Sequence, residues 1–203
     1  MEKEKDSKGT APTNSQDQPL SLARPFKFYF KTKKQDRNTY VNELKPLGSF
    51  STVEGFWSYY RHINRPDKLP DECDVYLFLE NVQPMWEDEA NEGGGQFMLR
   101  FKPPYAGKFW EDLLIGFIGE QCPESDCITG VVLSVRSPEI WIKIWIKRCT
   151  QDERDSIEAW LRSTFGLTEA AYIEYKPHRN TKQQHKTIGR SDEATKHRVI
   201  SEK

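Results

Sequence analysis

Residues 140–149 read IWIKIWIKRC and contain the clearest periodicity of the chain. Isoleucine occupies every second position from residue 140 to residue 146, and tryptophan or lysine occupies the positions between. Because successive side chains of a strand point to opposite faces of a sheet, the isoleucines predict a face buried against helices. The other face carries two tryptophans and two lysines, which suits a planar, anionic ligand such as a nucleotide. Lysine stems lying over packed indoles would give the same pattern.

Strands and helices are mixed on either side of this segment. Alternating apolar residues and β-branched runs predict further strands. Helical spacing of apolar residues predicts three helices. Ser51 or Thr52 would cap the first helix, and Gly166 would end the last. The strands fall at about 25–30, 75–79, 96–102, 128–135 and 171–176, and the helices at about 53–62, 107–119 and 152–165. Without regular βαβ units, this order predicts an α+β fold with a mainly antiparallel sheet.

Composition limits the domain organisation and the classes of partner. The length of 203 residues suits one domain with tails. Residues 1–22 and 178–203 contain too few apolar residues to offset the entropy lost on folding, so we expect both segments to be disordered. Residues 23–177 are expected to form the folded domain. The net charge of −1 provides no electrostatic attraction for long stretches of nucleic acid. No apolar run reaches membrane length and no secretory signal is present, so we expect a cytoplasmic protein without a membrane partner.

The cysteines do not form a metal-binding pattern along the chain. Cys73, Cys122, Cys127 and Cys149 contain no CxxC pair, and the four histidines are scattered. Cys122 and Cys127 have the spacing of half a metal site, but no second pair follows. Reduced intracellular thiols, no metal and no cofactor are expected.

Trp86 and Glu87 are the strongest candidates for ligand recognition. They lie in PMWEDE, residues 84–89, and Gly93–Gly95 follow shortly after. An indole attracts a cationic ring, and a carboxylate can accept two parallel N–H bonds. Together they suit a positively charged planar base with two donors on one edge, as in 7-methylguanine. A surface turn without a ligand would also use these residue types.

Several motifs occur in an order that resembles a known family. They are TVEGFW at 52–57, PMWEDE at 84–89, FW at 109–110, IGE at 118–120, GVVLSVR at 130–136 and IW at 144–145. Over residues 19–177 the chain resembles the eukaryotic mRNA cap-binding translation initiation factor, factor four-E. The resemblance implies a curved antiparallel sheet with three helices on its convex face.

The resemblance also implies a pocket for the 7-methylguanosine cap. Trp86 would stack on one face of the base, Glu87 would take its Watson–Crick edge, and Trp145 would lie against the methyl group. The second stacking ring would be Tyr40, where the standard factor has a tryptophan. Tyrosine there, and YKPH at 175–178, are similar to the branch called four-E homologous protein or novel cap-binding protein.

The phosphate-binding part of the pocket departs from the family pattern. Arg136 matches an arginine that reaches the cap phosphates. A lysine of the standard factor falls on Trp141, and an arginine falls on Gln96. Lys143, or a residue of the basic segment 182–190, is a candidate substitute, whereas a solvated sheet lysine is the plainer interpretation of Lys143.

The convex face is implied to bind scaffold or repressor proteins that carry a Tyr-x4-Leu-hydrophobic helix. The family contacts match Pro19, Val53, Trp57, Asp112, Ile115 and Gly119. Phe56 and Trp57 are adjacent, so one of the two must face the core. If Trp57 faced the core, it could not contact a partner helix on the convex face.

The predicted function is therefore binding of capped mRNA by a monomer that is not an enzyme and that regulates translation initiation. Two alternatives stay open. A hydrolase acting on the cap or a nucleotide would need clustered carboxylates or a histidine base. An interaction module that kept the fold and lost the cap would explain the departures at Gln96 and Trp141.

Overall fold

The computed structural model describes residues 18–32, 44–169 and 171–178. In these residues seven antiparallel strands form one curved sheet that carries three helices on its convex face. The strands are β1 (Ser21–Thr32), β2 (Lys45–Thr52), β3 (Cys73–Leu79), β4 (Gly95–Phe101), β5 (Ile128–Arg136), β6 (Glu139–Ile146) and β7 (Glu174–Pro177). The helices are α1 (Val53–Tyr60), α2 (Pro103–Ile118) and α3 (Gln151–Thr164). The strand order is β2-β1-β3-β5-β6-β4-β7. The predicted α+β class is confirmed.

The alternating segment forms β6 as predicted, near the middle of the sheet. All four of its isoleucines are completely buried and belong to the main core between sheet and helices. The three side chains between them, Trp141, Lys143 and Trp145, are only partly buried on the opposite, concave face. This strand therefore separates the packed side of the sheet from the side that is free for a ligand.

Local capping explains where the helices begin. Thr52 caps α1 by accepting a hydrogen bond from Gly55 N at 3.0 Å. Thr150 and Glu153 form a capping box at the start of α3. Helix α2 begins at Pro103, four residues before the predicted start, because proline is favoured in the first helical turn.

Two parts of the sheet differ from the prediction. β2 was not predicted, because Pro46 and Gly48 interrupt any alternation in its sequence. β7 begins at Glu174, three residues later than expected, and β1 extends from Ser21, beyond the predicted 25–30. Among the described residues, no helix is both long enough and apolar enough to cross a membrane.

Candidate functional site

A cavity of about 540 Å³ lies at the end of the concave face where β4, β6 and β7 meet. Its walls come from the loop after β3 and from all three strands, and are formed by Trp86, Gln96, Trp145, Lys176, Pro177 and His178. The structure thus brings Trp86 and Trp145 together, although they are far apart in sequence. Tyr40, the other predicted stacking ring, lies outside the described residues.

The indole of Trp145 is held by a small aromatic cluster under the cavity. The ring of Phe78 packs edge-on against it, with centroids 5.5 Å apart at 73°. Phe78 lies against Gly130, where a Cβ atom would come within 2.4 Å of the phenyl ring. Any side chain at residue 130 would displace Phe78, so the glycine positions Trp145 indirectly.

The loop that carries Trp86 is fixed by Asn91, which is completely buried. Its side-chain amide donates to the carbonyls of Gln83 and Met85 at 2.9 and 2.8 Å. Its Oδ1 accepts a 2.8 Å hydrogen bond from the hydroxyl of Thr129 on β5. Asn91 therefore ties the start of the loop to the sheet, although nothing in the local sequence singles it out.

The acidic residues of the loop have different environments. Both carboxylate oxygens of Asp88 accept backbone N–H groups, from Gln83 at 2.9 Å and Ala90 at 3.0 Å. Glu87 is exposed beside Trp86 and does not line the cavity. Asp88 is thus a structural residue of the turn, whereas the carboxylate of Glu87 is open to solvent.

Replacement of Asn91 by alanine should lower the free energy of unfolding by about 1–3 kcal/mol, because buried polar partners lose their hydrogen bonds. Urea unfolding of Asn91→Ala measures this loss. Asn81 is exposed in the preceding turn, so Asn81→Ala serves as the matched control. Equal stability of the two variants would show that Asn91 does not hold the loop.

His178 is a wall of the cavity that the sequence did not predict. Its ring lies 4.2 Å from the ring of Trp145, tilted by 43°, and its backbone N–H donates to Gly94 O at 2.9 Å. His178 Nε2, Trp145 Nε1 and Gln96 Oε1 are buried without a hydrogen-bond partner in the described part of the chain. Buried polar atoms are normally satisfied, which makes these three atoms candidates for hydrogen bonds to a ligand.

Burial lowers the pKa of His178 to about 4, from an ordinary value of 6.5. Between these values the unfolded chain binds the proton and the folded chain does not, so stability falls as pH decreases from 6.5 to 4. Above pH 6.5 this contribution is fully present. Melting temperatures across this range should fall less steeply for His178→Phe than for wild type, because the variant lacks this titrating group. Parallel curves for the two proteins would contradict the account.

Arg136 is engaged in an ion pair with Asp74. One guanidinium nitrogen donates to both carboxylate oxygens at 2.8 and 3.0 Å, and the other donates to the carbonyls of Cys73 and Val135. Asp74 is 8% exposed, so it needs this positive partner. The arginine predicted to meet phosphate thus also neutralises a buried carboxylate.

Lys143 lies on the concave face two residues before Trp145 on the same strand. Its ammonium donates to the hydroxyl of Ser134 at 3.0 Å and lies 5.9 Å from the ring centre of Trp141. Burial lowers the pKa of Lys143. Lys143 is therefore a partly buried, hydrogen-bonded lysine and not a solvated one.

On the convex face, α1 buries Phe56 and exposes Trp57. Phe56 is completely buried, whereas Trp57 is 42% exposed. The indole packs edge-on against Phe56 and Tyr60, and Tyr60 donates to Glu111 on α2 at 3.1 Å. The tryptophan therefore sits outside the core on a surface that α1 and α2 share.

The other residues predicted for this surface lie around the same two helices. Ile115 on α2 is 37% exposed, and Gly119 caps the C-terminus of that helix. Asp112 forms a surface ion pair with Lys108. Pro19 is exposed next to Leu20, whose carbonyl accepts a 2.8 Å bond from the backbone N–H of Val53.

The sequence and the fold correspond to a known family. Residues 21–193, most of the chain, match the family model described as Eukaryotic initiation factor 4E, and the chain belongs to this family. It is 41% identical over 145 residues to the eukaryotic translation initiation factor NCBP of Oryza sativa subsp. japonica. That alignment covers 69% of this chain and 62% of the rice protein, so the chain spans less than two thirds of that relative.

Solved structures of the family are similar over most of the chain. Ascaris suum eIF4E-3 in complex with the m2,2,7G cap is 28% identical, with a TM-score of 0.75 over 80% of this chain and 93% of that one. C. elegans eIF4E-3 in complex with the 4E-binding protein Mextli and a cap analog is 31% identical, with a TM-score of 0.73 over 79% and 94%. The predicted resemblance to factor four-E is thereby confirmed.

Proposed function

We propose that this chain binds the 7-methylguanosine cap of mRNA on its concave face and regulates translation initiation through a helical partner on its convex face. The observation that carries the proposal is the meeting of Trp86 and Trp145 in one cavity at the end of the sheet. Residues 23–177 would form the cap-binding domain, acting as a cytoplasmic monomer. The cap-bound relatives of the same fold support the proposal.

The base would occupy the cavity and the phosphates would extend along β6. Lys143 is two residues from Trp145 on the same face, a distance of about 6.6 Å in an extended strand. This distance is comparable to the distance between the base of a nucleotide and its phosphates. Arg136 lies further along the same face but is paired with Asp74, and Lys143 is a cation whose charge a phosphate would stabilise.

Catalysis on the cap is not part of the proposal. The contiguous acidic residues after Trp86 do not act together, because Asp88 uses both oxygens in the turn. A hydrolase would need an activated water or a clustered metal site. Incubation with immobilised 7-methyl-GTP tests this directly: we expect retention of the protein and recovery of intact nucleotide. Release of diphosphate or monophosphate products would favour the hydrolase.

Glu87 is exposed beside Trp86 at the cavity, outside its lining, and we propose that it confers selectivity for the edge of a bound base. Glu87→Gln can accept only one of the two parallel N–H bonds of guanine and opposes the other donor with its own amide. Loss of a buried charge-assisted pair costs about 1–3 kcal/mol, so affinity for 7-methyl-GTP should fall about five- to a hundredfold. Glu89 is an exposed acid in the same loop, and Glu89→Gln controls for the lost charge. Equal titration curves for both variants would exclude Glu87 from the base edge.

A further inference from the structure

Two cysteines and a glutamate from three separate parts of the fold converge, and none of them lines the cavity. Cys127 immediately precedes β5, Cys149 follows β6, and Glu153 lies in the first turn of α3. Their sulfur and carboxylate oxygen atoms all lie within 4.8 Å of one another. The pairing of Cys127 with Cys149 is a product of the fold, since the sequence spacing had suggested Cys122 with Cys127.

The backbone around the cluster is fixed on both sides. The N–H of Lys147 donates to the carbonyl of Cys127 at 2.9 Å, which joins the end of β6 to the start of β5. Arg154 donates to the carbonyl of Cys149 at 2.6 Å, which joins α3 to the same segment. The three side chains are therefore presented by constrained backbone.

The ligand atoms remain available for coordination. Cys127 and Cys149 are free thiols. Glu153 Oε2 accepts hydrogen bonds from the backbone N–H and the hydroxyl of Thr150. Its carboxylate also accepts a hydrogen bond from the thiol of Cys127, whose proton a metal ion would replace. Cys127 is buried, while Cys149 and Glu153 are partly exposed, so the cluster is closed towards the core and open towards solvent.

We propose that Cys127, Cys149 and Glu153 bind a zinc ion, with water as the fourth ligand on the solvent side. Zinc takes thiolate and carboxylate ligands tetrahedrally at about 2.3 and 2.0 Å, which places ligand atoms about 3.5–3.8 Å apart. The observed separations require at most a contraction of about 1 Å by side-chain rotation. A site with three protein ligands and water is an arrangement that zinc adopts.

Binding is coupled to proton release. Zinc binds thiolate rather than thiol, so a proton must leave each sulfur as the metal binds. Each zinc ion would replace one proton on each sulfur, forming two S–Zn bonds and releasing two protons. Affinity should therefore increase with pH.

Cobalt(II) titration of the reduced, metal-free full chain tests the proposal, because cobalt bound to thiolate gives a charge-transfer absorption band. Wild type should bind one cobalt ion with this band, and zinc should displace it. Cys149→Ser should lower the affinity about 100-fold or more, and Glu153→Gln about tenfold. Cys122→Ser is the matched control, since Cys122 is buried nearby outside the cluster, and it should bind like wild type.

Two measurements on wild type keep the test decisive if a cysteine variant fails to fold. Zinc should release two protons per ion in weakly buffered solution, and it should raise the melting temperature because it binds the folded state. Absence of the charge-transfer band in wild type, or an equal band in Cys149→Ser, would overturn the proposal. Retention on immobilised 7-methyl-GTP is independent of this site and should persist in every folded variant.

Discussion

Alanine in place of Trp86 is expected to weaken binding of 7-methyl-GTP about ten- to a hundredfold, with little change in melting temperature. One stacked ring contributes about 1–3 kcal/mol to binding of a base, and a methylated, cationic base adds attraction to the indole face. The fold should persist because Trp86 is only partly buried and Asn91, not the indole, fixes the loop. Fluorescence titration and thermal melting measure the two quantities.

Trp141 provides the control for this experiment. It is a partly buried indole on the concave face, but it does not line the cavity. Trp141→Ala should therefore change the affinity for 7-methyl-GTP much less than Trp86→Ala does, and Trp86→Phe should retain most of the binding. Wild-type affinity in Trp86→Ala would mean that the base binds elsewhere.

The adjacent residues Phe56 and Trp57 should respond to alanine in opposite ways. Phe56 is completely buried, and its truncation should cost about 3–5 kcal/mol of unfolding free energy. Trp57 is largely outside the core, and its truncation should abolish capture of a Tyr-x4-Leu-hydrophobic peptide. The expected loss of binding free energy is about 2 kcal/mol or more. Urea unfolding and peptide binding, measured on both variants, separate the two roles.

Cap retention is the control for the convex face. Trp57→Ala should stay on immobilised 7-methyl-GTP as wild type does, because its helix lies on the opposite side of the sheet from the cavity. Loss of stability in Trp57→Ala comparable to that in Phe56→Ala would place the indole in the core. Unchanged peptide capture would move the partner surface elsewhere.

Local patterns predicted the parts of the fold in which one physical signal dominates. The alternating isoleucines gave β6 and its buried face, and the Thr52 cap gave the start of α1. β2 was not predicted, because it is a strand through its pairing with β1 and its own sequence shows no strand pattern. Helical spacing alone did not decide between Phe56 and Trp57, since the two are adjacent, whereas the family resemblance predicted the outward Trp57 that the structure shows.

The site could be predicted only where it uses recognisable residue types. Trp86 was singled out by its neighbouring carboxylate and Trp145 by the family resemblance, and the structure places both in the wall of one cavity. Asn91 and His178 were missed because their roles arise from long-range contacts, with Thr129 and with Trp145 respectively. The cluster around Cys149 was missed for the same reason. Its three members are joined by sheet pairing and by the N-terminus of α3, not by sequence spacing.

The central claim is that the cavity recognises a methylated, cationic guanine. Fluorescence titration with 7-methyl-GTP and with GTP, at the same pH and salt concentration, tests it most directly. The two ligands share their phosphates and their base edge, so only the positive charge and the methyl group of the base distinguish them. Clearly tighter binding of 7-methyl-GTP, reduced by Trp86→Ala, is the predicted result. Equal affinity for the two nucleotides would contradict the claim.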